Sequence, residues 1–296
     1  MKVDRVEPNL RGRLERSVDD LPVLPTVVAK LLTLDRDDHH YFEQVLKVVE
    51  ADPNFSARIL MAANSAAFAA PKPITTLRAA MSRIGSAAAA DLVLAISVTR
   101  VFIPRDPWER SLWRHALQVA IAARALAGRA HDAEVNPEEA YTCGLLHDIG
   151  RFVMFHVAPD ALRTIDEADW DTPDTLLQIE RAVSGTTHSE LGALACARWR
   201  FPDTLVEVVG NHHAPVRTVV GKVAKLTALT QLADLAMFPS AMPGTRGLES
   251  ADEETIRRVL EPKVPRFIHL GAHDLASLIK ATAAEANAIS RSLGVG

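Results

Sequence analysis

The chain has 296 residues and a formal net charge of −4, from 33 Lys and Arg against 37 Asp and Glu. Hydrophobic types make up 48% and charged types 24%, which excludes a disordered or fibrous chain and leaves length for one large domain or two lobes. The near balance of charge argues against nucleic acid or an anionic membrane as the partner. Two cysteines, Cys143 and Cys196, are too few for a disulfide framework and point to a reducing compartment. The opening MKVDRVEPNLRGRLER has no apolar signal core. The longest apolar run, near Ser86 to Phe102, is broken by Asp91 and Arg100, short of a membrane span, so a cytoplasmic protein is expected.

Apolar residues recur at three and four residue intervals along nearly the whole chain, which predicts an all-α fold. Pro25 stands at the first turn of a helix with Val28, Leu31 and Leu32 on one face. A second carries Phe42, Val45, Leu46 and Val49 and is stopped by Asp52-Pro53; Asn54 is placed to cap a third, with Ile59, Leu60 and Ala63 inward. Thr75 or Thr76 starts a fourth that ends near Gly85. Pro104 and Pro107 flank a cap candidate, Asp106, and mark the best internal boundary before a long helix containing His115.

Asn136-Pro137-Glu138-Glu139 is a strong helix start, and it puts His147 and Asp148 well inside the helix that follows. Thr187 and Glu190 fit a capping box, placing His188 in a first turn. Pro202 opens a helix with His212 and His213 near its end, and a later one, through Leu226, Leu229 and Leu232, carries Asp234. Pro239 to Ser250 is expected as a surface loop before two closing helices. The expected organisation is an N-terminal extension over residues 1–20, a helical lobe over 21–105, a helical bundle over 106–238, and a loop with C-terminal helices over 239–296.

His-Asp occurs three times, at His131, His147 and His273. Only His147-Asp148 lies in apolar surroundings, among Leu145, Leu146, Ile149, Phe152 and Val153, where ionisable groups are costly unless paired or metal-bound. Imidazole and carboxylate are the ligands that borderline first-row metals accept, and a bundle can gather them from several helices. The candidates, in chain order, are His115, His147, Asp148, His188, His212, His213 and Asp234. Trp108, Trp113 and Trp199 are expected in the core.

From Leu21 to about Pro215 the chain resembles the HDOD domain, a bacterial signalling module of the HD metal-dependent phosphohydrolase superfamily related to the HD-GYP phosphodiesterases. The likeness rests on LPVLPTVVAKLL, VVEADPNFSARILMAANSAAF, PITTLRAAMSRIG, CGLLHDIGR and HSELGALACARWRFPDTLVEVVGNHH, about two thirds of the chain. The resemblance implies an N-terminal helical lobe packed on an HD-like bundle. It also implies that His115, His147, Asp148 and Asp234 ligate one divalent ion, and that His188, His212 and His213 hold a further ion across the same aspartate. The metal is undetermined among Fe, Mn, Zn and Ni.

By the same resemblance Asp148 and Arg151 are the catalytic candidates, Arg151 standing where HD-GYP enzymes have a lysine and able to fork onto phosphate. Two positions depart from the HD-GYP pattern: Ala214-Pro215 follows His213 in place of the Gly-Tyr-Pro element, and Ser111 stands where a glutamate ligand is expected. The implied function is first a regulatory output or protein-interaction module, with a signalling protein or a small phosphorylated ligand as partner. The alternative is a metal-dependent phosphohydrolase acting on a nucleotide or cyclic dinucleotide.

Overall fold

In a computed structural model, the described residues are 9–22, 26–36, 38–64, 73–103, 107–131, 135–168, 170, 172–215, 220–241 and 248–293. They form sixteen α-helices: α1 Leu10–Asp19, α2 Thr26–Thr33, α3 Tyr41–Glu50, α4 Pro53–Ala63, α5 Leu77–Ile84, α6 Ser86–Val101, α7 Pro107–Ala127, α8 Pro137–Leu146, α9 Ile149–Val157, α10 Pro159–Asp166, α11 Pro173–Ser184, α12 His188–Arg198, α13 Asp203–Asn211, α14 Gly221–Ala241, α15 Glu253–Val259 and α16 Ala272–Leu293. Among these residues the β structure is one isolated bridge, Ala130 with Ile268. The chain is all-helical, as its periodicity requires.

Helices α2 to α6 pack on one another. Thr76 caps α5 by accepting from the Ala79 amide, and Gly85, at φ +89°, turns the chain between α5 and α6. The apolar run of α6 is buried from Ala89 to Val98, which makes it a core helix. No single helix among the described residues is long and apolar enough to cross a membrane. Helix α7 packs against α8, α14 and α16, while α12 packs on α9, α13 and α1. Leu10, Leu14 and Val18 of α1 are buried in the same core.

An ion-pair network around the buried Asp91 joins α6 to α7, α8 and α16. Asp91 of α6 meets Arg124 of α7 at 2.9 Å and Arg36 at 3.7 Å; Arg36 reaches Glu138 of α8 at 3.0 Å, and Arg124 reaches Glu285 of α16 at 2.8 Å. Burial, reinforced by the charge of Glu138, pushes the Asp91 carboxyl up to about 8 against the opposing pull of the two arginines.

Several local expectations are corrected. His147 and Asp148 are not inside one helix: α8 ends at Leu146, His147 is its C-cap and Asp148 precedes α9. The break lets α9 turn onto α12, an approach that requires glycine at 150, because a Cβ there would lie 1.9 Å from the His188 carbonyl oxygen. Helix α4 begins at Pro53, one residue before Asn54, whose side chain lies outside the described residues, as do Pro25, Pro104, Arg105 and Asp106. Helix α14 continues through Pro239 to Ala241, so the loop expected there starts later. Trp113 and Trp199 are buried, whereas Trp108 is half-buried and also forms part of a cleft wall.

Candidate metal centre

Six helices and their ends bring seven side chains together. His115 comes from the middle of α7, His147 and Asp148 from the α8–α9 junction, His188 from the first turn of α12, His212 and His213 from the end of α13, and Asp234 from α14. The local sequence explains each placement. Asn136 caps α8 through the amides of Glu138 and Glu139. Thr187 and Glu190 form the expected capping box on α12, which buries His188 at the helix start. Gly144 allows α8 to approach α7 closely, since a Cβ would lie 2.7 Å from the Ala120 Cα.

The two oxygens of Asp148 face different histidines. Oδ2 lies 3.6 Å from His147 Nε2 and 3.9 Å from His115 Nε2. Oδ1 lies 3.3 Å from His188 Nε2 and 3.7 Å from His212 Nε2. Asp234 completes the first group, with Oδ1 at 3.0 Å from His115 Nε2 and 3.9 Å from His147 Nε2. His213 completes the second, its ring centroid 4.1 Å from that of His212 and 5.0 Å from that of His188. The potential ligand atoms of Asp148, His188, His212 and His213 lie within 4.8 Å of one another, as do those of His115, His147 and Asp148.

The ring tautomers follow from what lies behind each imidazole. His147 Nδ1 donates to the Gly144 carbonyl at 2.8 Å and His212 Nδ1 to the Val209 carbonyl at 2.7 Å, leaving both Nε2 lone pairs directed inward. His147 Nε2 is buried with no hydrogen-bond partner. His188 Nδ1 is 2.7 and 2.8 Å from the two oxygens of Glu180, and its Nε2 faces His212 Nε2 at 3.1 Å. Facing lone pairs beside a carboxylate are electrostatically unfavourable unless a proton or a metal cation lies among them. The donor set therefore fits a divalent metal ion.

The electrostatics agree. Burial opposes ionisation of Asp148, but His147, His212, His188 and Arg151 outweigh it and hold the carboxyl well below its ordinary value. Asp234 is depressed in the same way, against burial, by His115 and His147. Burial drives His147 down to about 4 and, together with His212 and His188, drives His213 down as well. His115 and His188 are raised: burial works against the charged ring, and Asp234 and Glu180 respectively overcome it.

Two further acids belong to the arrangement and escaped the sequence reading. Asp166 pairs with the Arg151 guanidinium, which also lies 3.9 Å from Asp148 and 4.0 Å from Glu180. The Arg151 charge thus faces carboxylates of the site itself. Glu180 is fully buried on the face of α11 that carries Leu176, Val183 and Ser184, and an acid on an apolar helical face was the signal available. Ser111 donates its hydroxyl proton to the Trp108 carbonyl at 2.6 Å. Of the other His-Asp pairs, His131 and His273 are exposed.

His115, Asp148, Arg151, His212, His213 and Asp234 open onto a cleft of about 1390 Å³, while His147 and His188 stand behind them. Its walls carry aromatic Trp108, Trp170 and Phe238 and basic Arg163, Lys225, Lys263 and Arg266. The volume exceeds the roughly 300–1,000 Å³ of an ordinary small-molecule site.

A helical bundle built around a buried His-Asp doublet, with further histidines converging from neighbouring helices, is an HD-superfamily arrangement. The chain belongs to the HDOD domain family, which matches residues 21–215. Among solved structures, a proposed phosphohydrolase from Shewanella amazonensis SB2B is 25% identical with a TM-score of 0.69, covering 96% of this chain and 98% of that one. An HDOD domain protein of unknown function from Geobacter sulfurreducens shares the fold at 21% identity and a TM-score of 0.73, over 97% of this chain and 99% of that one. A protein of uncharacterised function from Treponema pallidum (strain Nichols) is 25% identical over 206 residues, which are 69% of this chain and 40% of that protein. The chain thus matches less than half the length of that relative.

Proposed function

We propose that this HDOD protein is a divalent-metal-dependent phosphoester hydrolase that accepts a small phosphorylated ligand, such as a nucleotide or cyclic dinucleotide, in its cleft. One observation carries the reading: the two oxygens of Asp148 face two separate groups of histidines at the floor of an open cleft. His115, His147 and Asp234 would hold one ion, His188, His212 and His213 the other, and Asp148 would serve both. When bound, such ions supply acidification of a water and charge stabilisation for the phosphoryl group. The chain supplies the rest. Arg151, tied to Asp166, holds Asp148 in place, while Lys225, Lys263 and Arg266 on the walls offer cationic partners to phosphate oxygens. Trp108 and Trp170 offer apolar faces to the remainder of the ligand.

The test is elemental analysis of protein purified without chelator, followed by assay of bis(p-nitrophenyl) phosphate and cyclic dinucleotides with Mn, Fe, Zn or Ni. Metal-stimulated turnover abolished by Asp148→Asn is expected; metal-free protein without turnover under any of these ions overturns the reading.

A second reading, a regulatory output module that binds a metal or ligand and signals to a protein partner in the cytoplasm, is favoured by Ser111. At that position the hydroxyl is occupied with the Trp108 carbonyl and no carboxylate is present. Stoichiometric binding of a cyclic dinucleotide without turnover would select it.

A further inference from the structure

We infer that Glu180 is a positioning residue that makes the His188 group able to hold a divalent ion, by delivering negative charge through the imidazole. This rests on the metal reading above.

The two groups of ligands are unequal in charge. The first contains a carboxylate of its own, Asp234, beside its share of Asp148. The second has three imidazoles and only the other oxygen of Asp148. Three neutral rings and half a shared carboxylate leave a dication poorly compensated in a buried setting. Glu180 supplies the deficit from behind.

Its position rules it out as a direct ligand on the same ion as His188 Nε2. Both its oxygens lie at the far ring nitrogen, 2.7 and 2.8 Å from Nδ1, and Oε2 also accepts the His188 backbone N–H at 2.9 Å. That three-point hold fixes the ring plane, enforces protonation at Nδ1 and directs the Nε2 lone pair toward Asp148 and His212. A carboxylate behind a ligating imidazole raises the basicity of the ligand nitrogen, and losing such a partner typically costs about 10–100-fold in metal affinity. Three of the other rings lack this charge: His147 and His212 are backed by neutral carbonyls, and His115 Nδ1 has no hydrogen-bond partner. Glu180 thus belongs to one subsite only.

The experiment is a chelator-competition titration of the full chain with Zn(II), comparing wild type with Glu180→Gln. The variant keeps the size and one acceptor oxygen and removes the charge. The expected result is two equivalents in the wild type and, in the variant, an affinity for one equivalent reduced by about 10–100-fold with the other unchanged. Two equivalents of unaltered affinity in the variant, or equal weakening of both, would overturn the inference. A wild type that binds no zinc would instead overturn the metal reading itself. If the variant fails to fold, nitrogen-15 NMR of histidine-labelled, zinc-loaded wild type decides. His188 should be protonated at Nδ1, with that proton more deshielded than those of His147 and His212; protonation at Nε2 sinks the idea.

Discussion

Gly150 lies so close to His188 that a Cβ on it would sit 1.9 Å from the His188 carbonyl oxygen and 2.7 Å from the Gly192 amide nitrogen. Both obstacles are backbone atoms, so α9 and α12 would have to separate to admit a methyl group. Gly150→Ala is therefore expected to destabilise the fold by about 1–3 kcal/mol or more, read as a lower midpoint in urea. It should also weaken metal retention, because the same displacement opens the 3.3 Å approach of His188 to Asp148. Gly271, whose Cβ would meet nothing within 4 Å, provides the control: Gly271→Ala should be near neutral. Equal stability of the two variants would contradict the packing argument.

Asp148 is the one side chain shared by both histidine groups. Asp148→Asn keeps the shape and removes the charge. Its metal content after desalting should fall close to zero, whereas His115→Ala should spare the ion at His188. Elemental analysis of the three proteins side by side distinguishes a shared carboxylate from one that serves a single ion.

Metal and protons compete for the same nitrogens. His115 and His188 are held protonated above the ordinary imidazole value, against burial, by Asp234 and Glu180. Each proton displaced should cost metal affinity about tenfold per pH unit below the titration of that ring. The apparent zinc affinity is expected to fall as pH drops through the ordinary imidazole range, with the fall beginning above it because both rings are raised. A flat profile over that interval would mean that neither ring ligates.

Asp91 gives a separate, oppositely signed dependence of stability. Its carboxyl is raised to about 8 by burial and by Glu138, from about 3.9 in an unfolded chain. The native state therefore binds the proton more tightly, and the stability linked to Asp91 is present in full below about pH 4 and is lost as pH rises toward 8. Asp91→Asn should flatten this part of the slope, seen as a smaller difference between urea midpoints at about pH 5 and about pH 8 than in the wild type. An unchanged difference would show that the arginines keep Asp91 ionised throughout.

Much of the helical pattern was legible because it is local. Caps such as Asn136, Thr76 and the Thr187/Glu190 box act over three or four residues, and apolar periodicity identifies buried faces without any knowledge of what covers them. The continuation of α14 through Pro239 was not legible, nor was the break between Leu146 and Ile149, where an uninterrupted apolar helix was the natural reading. That break serves a contact outside the segment, the close approach of Gly150 to α12.

The amino-acid order alone determined the all-helical class and supplied the seven histidine and aspartate candidates, because residue type sets ligand chemistry and burial cost before any folding is known. The family resemblance implied how they divide, and only the tertiary structure decided which atoms meet. Which oxygen of Asp148 faces His147 and which faces His188 depends on the packing of α7, α9, α12, α13 and α14 around one point. So does the standing of Glu180 behind His188 and of Asp166 beside Arg151. These pairings are set by distance across helices, and through-space distance is not encoded in the spacing along any one of them.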